Sequence, residues 1–183
     1  MKMLNSQENW LKTYYFIRAT VSIVWVLAAL GVAAHTPWLA AVLLVLYPAW
    51  DALANVLDGM RSGGLAQNRT QQLNAGASLL VALAVCVALP DMHRVLAVFG
   101  VWAILSGLLQ LATALRRWKH HGAQWAMVLS GAQSALAGTA FIFQAQQAAV
   151  PAIATLAGYA GFGAFYFLVS ALSLSLRSRK APG

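Results

Sequence analysis

The sequence predicts an all-α, polytopic membrane protein with six transmembrane helices arranged as three related helical hairpins. Three observations carry that expectation. Between Gly122 and Leu176 the chain runs 55 residues without one Asp, Glu, Lys, Arg or His, more uncharged sequence than a soluble domain of this size could bury. Hydrophobic residues make up 61% of the 183 residues and charged residues only 9%, against roughly 25% charged in an average soluble domain. Finally, apolar stretches of spanning length alternate with short turn-rich connections, and a helical crossing of hydrocarbon needs about 20 apolar residues.

The spans are expected at about 14–34, 38–57, 72–89, 95–115, 123–143 and 152–176. His35-Thr36-Pro37, Gly59 through Gly64, Pro90-Asp91, Arg116 to Gly122, and Gln144 to Pro151 punctuate them, each bringing residues that start or end helices. The first stretch has Lys2 and Lys12 ahead of it and small residues near Ala33-Ala34, as a secretory signal would. Its apolar run is longer than a signal core and five more spans follow, so it is read as an uncleaved first helix within a single integral membrane domain, 1–183.

Charge sets the orientation, because Lys and Arg near short loops are retained on the cytoplasmic side. With the amino terminus inside, Lys2, Lys12, Arg18, Arg61, Arg69, Arg116, Arg117, Lys119, Arg177, Arg179 and Lys180 fall on inner segments and Arg94 alone falls outside. Eleven against one places both termini in the cytoplasm of a bacterial inner membrane. The net charge of +8 is thereby a topology signal rather than a nucleic-acid footprint, which needs its cations gathered on one solvated face. The cluster Arg116-Arg117-Lys119-His120-His121 could in addition serve an anionic lipid. Trp10, Tyr14, Tyr15, Trp38, Trp118 and Trp125 fall near predicted helix ends, at headgroup level. The lone Cys86 has no partner for a disulfide within the chain and reads as a small packing residue.

The hairpin plan comes from an internal repeat. Leu44…Tyr47…Trp50, Leu96…Phe99…Trp102 and Leu156…Tyr159…Phe162 each read Leu, two residues, aromatic, two residues, aromatic, on the second, fourth and sixth helices. Asn74, Ser78, Ala82 and Cys86 on the third helix match Ala126, Ser130, Ser134 and Gly138 on the fifth, offset by 52. Helices in lipid gain little from apolar burial against each other, so small residues at four-residue spacing supply close backbone contact. Ser78, Ala82, Ser130, Ser134 and Gly138 are read as such packing positions. Gly158 and Gly161 on the sixth helix are read the same way, or as a face for a second copy or another membrane protein.

Asp51, Asn55 and Asp58 are the chemically suggestive residues. Their i, i+4, i+7 spacing puts all three on one side of the second helix. An ionised Asp near the bilayer centre costs about 2.5–3.5 kcal/mol on insertion scales, so that side faces a bundle interior, a partner or water. Arg18 enters from the same membrane side, and Asn74 begins the third helix at comparable depth. A cytoplasmic-half cluster of Arg18, Asp51, Asn55, Asp58 and Asn74 is therefore expected. One reading makes it a structural ion-pair and hydrogen-bond network that fixes helix register. The other makes it a proton or substrate site, because buried carboxylates can titrate near working pH. Ser106, Gln110, Thr113, Tyr166, Ser170 and Ser173 on other helices carry no charge to extend a pathway.

His35 and His93 lie in outer loops and read first as ordinary interfacial residues, the alternative being that protonation in acid alters loop packing or attracts a partner. No HExxH, GxSxG, Cys and His pairing or phosphate loop is present, so neither catalysis, nor a metal, nor a cofactor is expected.

Val101-Trp102-Ala103-Ile104-Leu105-Ser106-Gly107-Leu108-Leu109-Gln110-Leu111, closing with Ala114-Leu115-Arg116-Arg117, resembles the repeat of the HdeD-like bacterial membrane proteins, as does Trp125 through Gly131 with Ser134 and Gly138. The resemblance covers about 95–143. It implies an inner-membrane protein of repeated hairpins linked to acid resistance, with no catalytic residues to carry over. The stretch Tyr47 to Gly64 departs from that pattern through Asp51, Asn55 and Asp58. Beside a non-enzymatic stress-response role stand a small proton-linked transporter or channel subunit using the Asp51/Asn55/Asp58 face, and an assembly module that binds another membrane protein.

Overall fold

A computed structural model describes residues 2–117 and 124–180. Six long helices account for nearly all of them: α1 (Lys2–Gly31), α2 (Pro37–Arg61), α3 (Arg69–Ala88), α4 (Met92–Arg117), α5 (Gln124–Gln144) and α6 (Ile153–Lys180), with single 3-10 turns at Ala33–His35 and Leu65–Gln67. Among the described residues, Asn9–His35, Pro37–Arg61, Arg69–Ala88, Met92–Ala112 and Ile153–Leu176 are each long and apolar enough to cross a bilayer. The chain is a multi-pass membrane protein. Its outward side chains agree: Leu80 and Val87 are 68% and 82% exposed in the middle and at the end of α3, positions that water would penalise and lipid tails do not.

Hydrophobicity marks where a helix can sit in lipid, not where the backbone stops being helical. So α1 begins at Lys2 rather than near residue 14, and α2 runs through Pro48 to Arg61. Pro48 is fully buried. A proline inside a membrane helix is tolerated where neighbouring groups re-satisfy the freed carbonyl.

The connections follow their turn residues. Pro37 takes the first position of α2, where its missing N–H costs nothing. Gly63 and Gly64 end the second connection's first half with φ of +100° and +99°, a conformation that L side chains rarely adopt. The Asn68 amide then donates to the carbonyls of Ser62 (2.8 Å) and Gly64 (2.9 Å), meeting acceptors left at the end of α2. Gly59 leaves room for this loop to fold back, since a Cβ there would stand 2.7 Å from the Leu65 side chain. Asp91 caps α4, accepting the His93 backbone N–H at 2.9 Å.

The helices group into two compact units, residues 1–43, 54–72 and 153–183 in one, 44–53 and 73–152 in the other. In the first, α1 packs along α6, and Trp25 donates its indole N–H to the Leu43 carbonyl at 2.8 Å. In the second, α4 packs along α5.

Glycines set the α4·α5 contact. A Cβ on Gly100 would lie 2.8 Å from the Gly138 carbonyl oxygen, and one on Gly131 would lie 2.8 Å from that of Gly107; Gly138 and Gly107 face their partners' carbonyls more closely still. The pairs 100/138 and 107/131 share one antiparallel register, seven residues apart on each helix. Ser134, between them, donates to the Ala103 carbonyl at 2.9 Å. Gly138 and Ser134 sit in the contact, Ser130 is half-buried, and Ala82 is buried on α3. Gly131 and Gly107, not singled out from sequence, do as much as Gly138.

Small residues elsewhere differ. Among the described residues, a Cβ at Gly158 or Gly161 would meet nothing within 4 Å. Cys86, read from sequence as a small packing residue, is exposed. Smallness permits close approach but does not create it; a partner must be opposite. Substitution separates the two classes. Gly107→Val or Gly138→Val should force α4 and α5 apart and cost about 1–3 kcal/mol or more, read as a lowered unfolding midpoint in detergent. Gly158→Ala and Gly161→Ala should shift stability by no more than about 1 kcal/mol, in the stabilising direction set by helix propensity.

Candidate functional site

The first unit contains Arg18, Asn55 and Asp58 of the expected cluster; the second contains Asp51 and Asn74. Asp58, in the last turn of α2, is buried with 7% exposure. Each carboxylate oxygen takes one donor from a different helix: Oδ1 from the Trp10 indole N–H of α1 at 3.2 Å, and Oδ2 from the Gln71 amide of α3 at 3.1 Å. The Arg61 guanidinium lies over the Trp10 ring, 4.8 Å from its centroid, a favourable cation–π placement. The carboxylate thereby fastens the start of α1 to the α2–α3 turn. Asn55, one turn earlier, is buried as well.

Arg18 carries its charge among aromatic rings. Its guanidinium stands 4.3 Å from the Phe167 centroid on α6 and donates to the Tyr14 hydroxyl at 3.0 Å. Tyr15 stacks on the same Phe167, with centroids 6.2 Å apart. Trp10 and Tyr14 are read from sequence as headgroup anchors; in the structure Trp10 donates to Asp58, and Tyr14 is buried and accepts from Arg18.

In the second unit a directed chain of hydrogen bonds joins three helices. The Trp102 indole N–H of α4 donates to Ser78 Oγ of α3 at 3.1 Å, and Ser78 donates its hydroxyl to Asp51 Oδ2 of α2 at 2.7 Å. With its lone pair engaged by the indole and its proton by the carboxylate, the Ser78 hydroxyl has one orientation. Tyr47 and Phe99 close on Trp102 edge-to-face, with centroids 6.0 and 5.6 Å away. Ser78 is 1% exposed. Read from sequence as a packing position, it is the polar link between a carboxylate and an indole. Asn74, one turn from Ser78, is half-buried.

Sequence reasoning found the acceptors and missed the donors. Trp10 reads as interfacial, Trp102 as an aromatic of the internal repeat, and Gln71 was not singled out. The available signal was that a buried carboxylate must be met by N–H or O–H groups, and indole is a donor that an apolar helix can carry at low cost. The Arg116-Arg117-Lys119-His120-His121 cluster, Trp118 and Trp125 lie outside the described residues or side chains. Among the described residues, no three His, Cys, Asp or Glu side chains are grouped to hold a metal ion.

Residues 75–143 match a protein family described as a short repeat of unknown function (DUF308), the family that includes the HdeD-like membrane proteins. The matched stretch lies wholly within the second unit and takes in α3 from Ala75, the α4·α5 glycine contact, Ser78 and Trp102, while Asp51 and the whole first unit fall outside it. Comparison with curated proteins and with solved structures gives no significant match.

Proposed function

We propose that this protein is a non-enzymatic bacterial inner-membrane component of acid or envelope stress resistance, six-spanning with both termini cytoplasmic, in which the intramembrane carboxylates act as structural fasteners between helices. The observation that carries the structural part is the saturation of Asp58: both oxygens are taken by side-chain donors from two other helices. Asp51 supports it, being held by a serine that is itself held by Trp102. The orientation rests on the eleven-to-one division of Lys and Arg. The stress-resistance part rests on the repeat shared with HdeD-like proteins across 75–143.

Fasteners and proton sites respond differently to substitution. Asp58→Ala leaves the Trp10 and Gln71 donors without their acceptor, and Ser78→Ala strips Asp51 of a donor and Trp102 of an acceptor. Each should cost about 1–3 kcal/mol, seen as a lower thermal midpoint of the purified protein. Proteoliposomes of the wild type should show no proton or solute flux above empty vesicles. Flux that Asp51→Asn or Asp58→Asn abolishes, with folding intact, would establish the transporter reading instead. In cells, removal of the protein should lower survival after acid challenge, with Asp51→Asn restoring survival in proportion to its folded amount; unchanged survival refutes the stress-resistance part.

A further inference from the structure

The α3–α4 turn contains a second polar assembly that the proposed function does not use. His93, in the first turn of α4, places both ring nitrogens against oxygen acceptors. Nδ1 is 3.2 Å from Asp91 Oδ1, and Nε2 is 3.1 Å from the backbone carbonyl of Gln147, in the connection between α5 and α6. A neutral imidazole has one N–H and one lone pair, so it can donate to only one of the two; the other contact then sets a nitrogen lone pair against an oxygen lone pair. The imidazolium donates to both.

We propose that His93 is a proton-operated latch that ties the α3–α4 turn to the α5–α6 connection when it is protonated and loosens that tie when it is neutral.

The surrounding charges are few. On its own element His93 faces Asp91 and Arg94, and Arg94 Nε is 3.3 Å from the other Asp91 oxygen. From α3, the residues entering the turn, Val87 to Pro90, include no titratable side chain; Cys86 before them is exposed. From the α5–α6 connection, Ala145 to Ala152 include none either. The Asp91 carboxyl is held below its usual range, chiefly by the His93 backbone N–H; desolvation opposes this, and the His93 ring and the Arg94 backbone N–H add to the lowering. It therefore stays ionised further into acid than an ordinary carboxylate and remains an acceptor for the His93 ring. Its contribution is present above the ordinary carboxylate range and is lost only when pH falls through its own lowered value. Two dipoles act on the ring: the carbonyls ending α5 favour positive charge near Gln147, and the amino end of α4 opposes it, with the Asp91 carboxylate on the same turn offsetting that opposition. Arg94 competes for Asp91 but engages its other oxygen. In the orientation proposed above the latch faces the periplasm, the compartment whose pH follows the surroundings, yet its chemistry holds whether or not the stress-resistance reading does.

Hydrogen exchange tests it on the full-length protein in phosphatidylcholine nanodiscs, with exchange times at pH 7.5 and 5.5 scaled for the intrinsic chemical rate. In the wild type, amide protection across 145–150 should rise about tenfold on acidification, the size expected for one added charge-assisted hydrogen bond. His93→Gln, which keeps a donor but cannot titrate, should show no pH-dependent rise, and Asp91→Asn a reduced one. Apart from the substituted residue the three proteins are identical, so the difference isolates the His93–Asp91 pair. A wild type whose 145–150 protection is unchanged between the two pH values, or a His93→Gln protein that gains as much as the wild type, overturns the latch. Should His93→Gln fail to insert, nitrogen NMR of the wild type decides: two ring N–H groups on His93 at pH 5.5 and one at pH 7.5 uphold the latch, and the same count at both refutes it.

Discussion

A helix surrounded by hydrocarbon gains almost nothing by turning a leucine from lipid toward another helix, because the two environments are equally apolar. Cohesion must come from contacts that lipid cannot imitate, and there are two kinds in this chain. One is backbone against backbone, where glycine removes the side chain that would hold two helices apart. The other is a polar group met by a complementary one, where the alternative is a group stranded in a medium that offers no hydrogen bond. The α4·α5 seam is the first kind, with Gly100 against Gly138 and Gly107 against Gly131. The carboxylates of Asp51 and Asp58 are the second.

These two devices are distributed differently along the chain. The repeat matched to a known family holds the glycine seam and the Trp102–Ser78 bond. Asp51, Asp58, Trp10 and the aromatic setting of Arg18 all lie outside it. The matched portion thus contains the close backbone packing, and the remainder carries the more polar arrangement around Asp51, Asp58 and Arg18. Packing alone is compatible with many roles.

The donors that meet the carboxylates are mostly indole and amide groups. Asp58 takes Trp10 and Gln71, each neutral, and Asp51 takes a serine hydroxyl backed by Trp102. Neutral donors let a helix remain apolar along most of its length while supplying hydrogen bonds at one level. They also explain why charge alone was a poor guide to these sites.

Much of the architecture was legible from hydropathy, because the cost of exposing a peptide group to lipid forces long helices wherever twenty apolar residues run together. All six helices, the turns at Gly63-Gly64 and Pro90-Asp91, and the need of Asp51 and Asp58 for an inward partner follow from residue type alone. Which groups face one another does not. Gly138 and Gly158 are the same residue in similar apolar helices, yet a Cβ at the first would strike a carbonyl and one at the second would meet no described atom within 4 Å. Cys86 and Ala82 share a stripe, yet Ala82 is buried and Cys86 is not. The second carbonyl at His93 comes from a residue 54 positions away. The sequence by itself determined the solvent, the element type and the polar groups that had to be satisfied, since these depend on transfer energies of individual residues. The tertiary structure alone decided the partners, because lipid and protein interior are nearly alike to a small apolar side chain and only the facing helix distinguishes them.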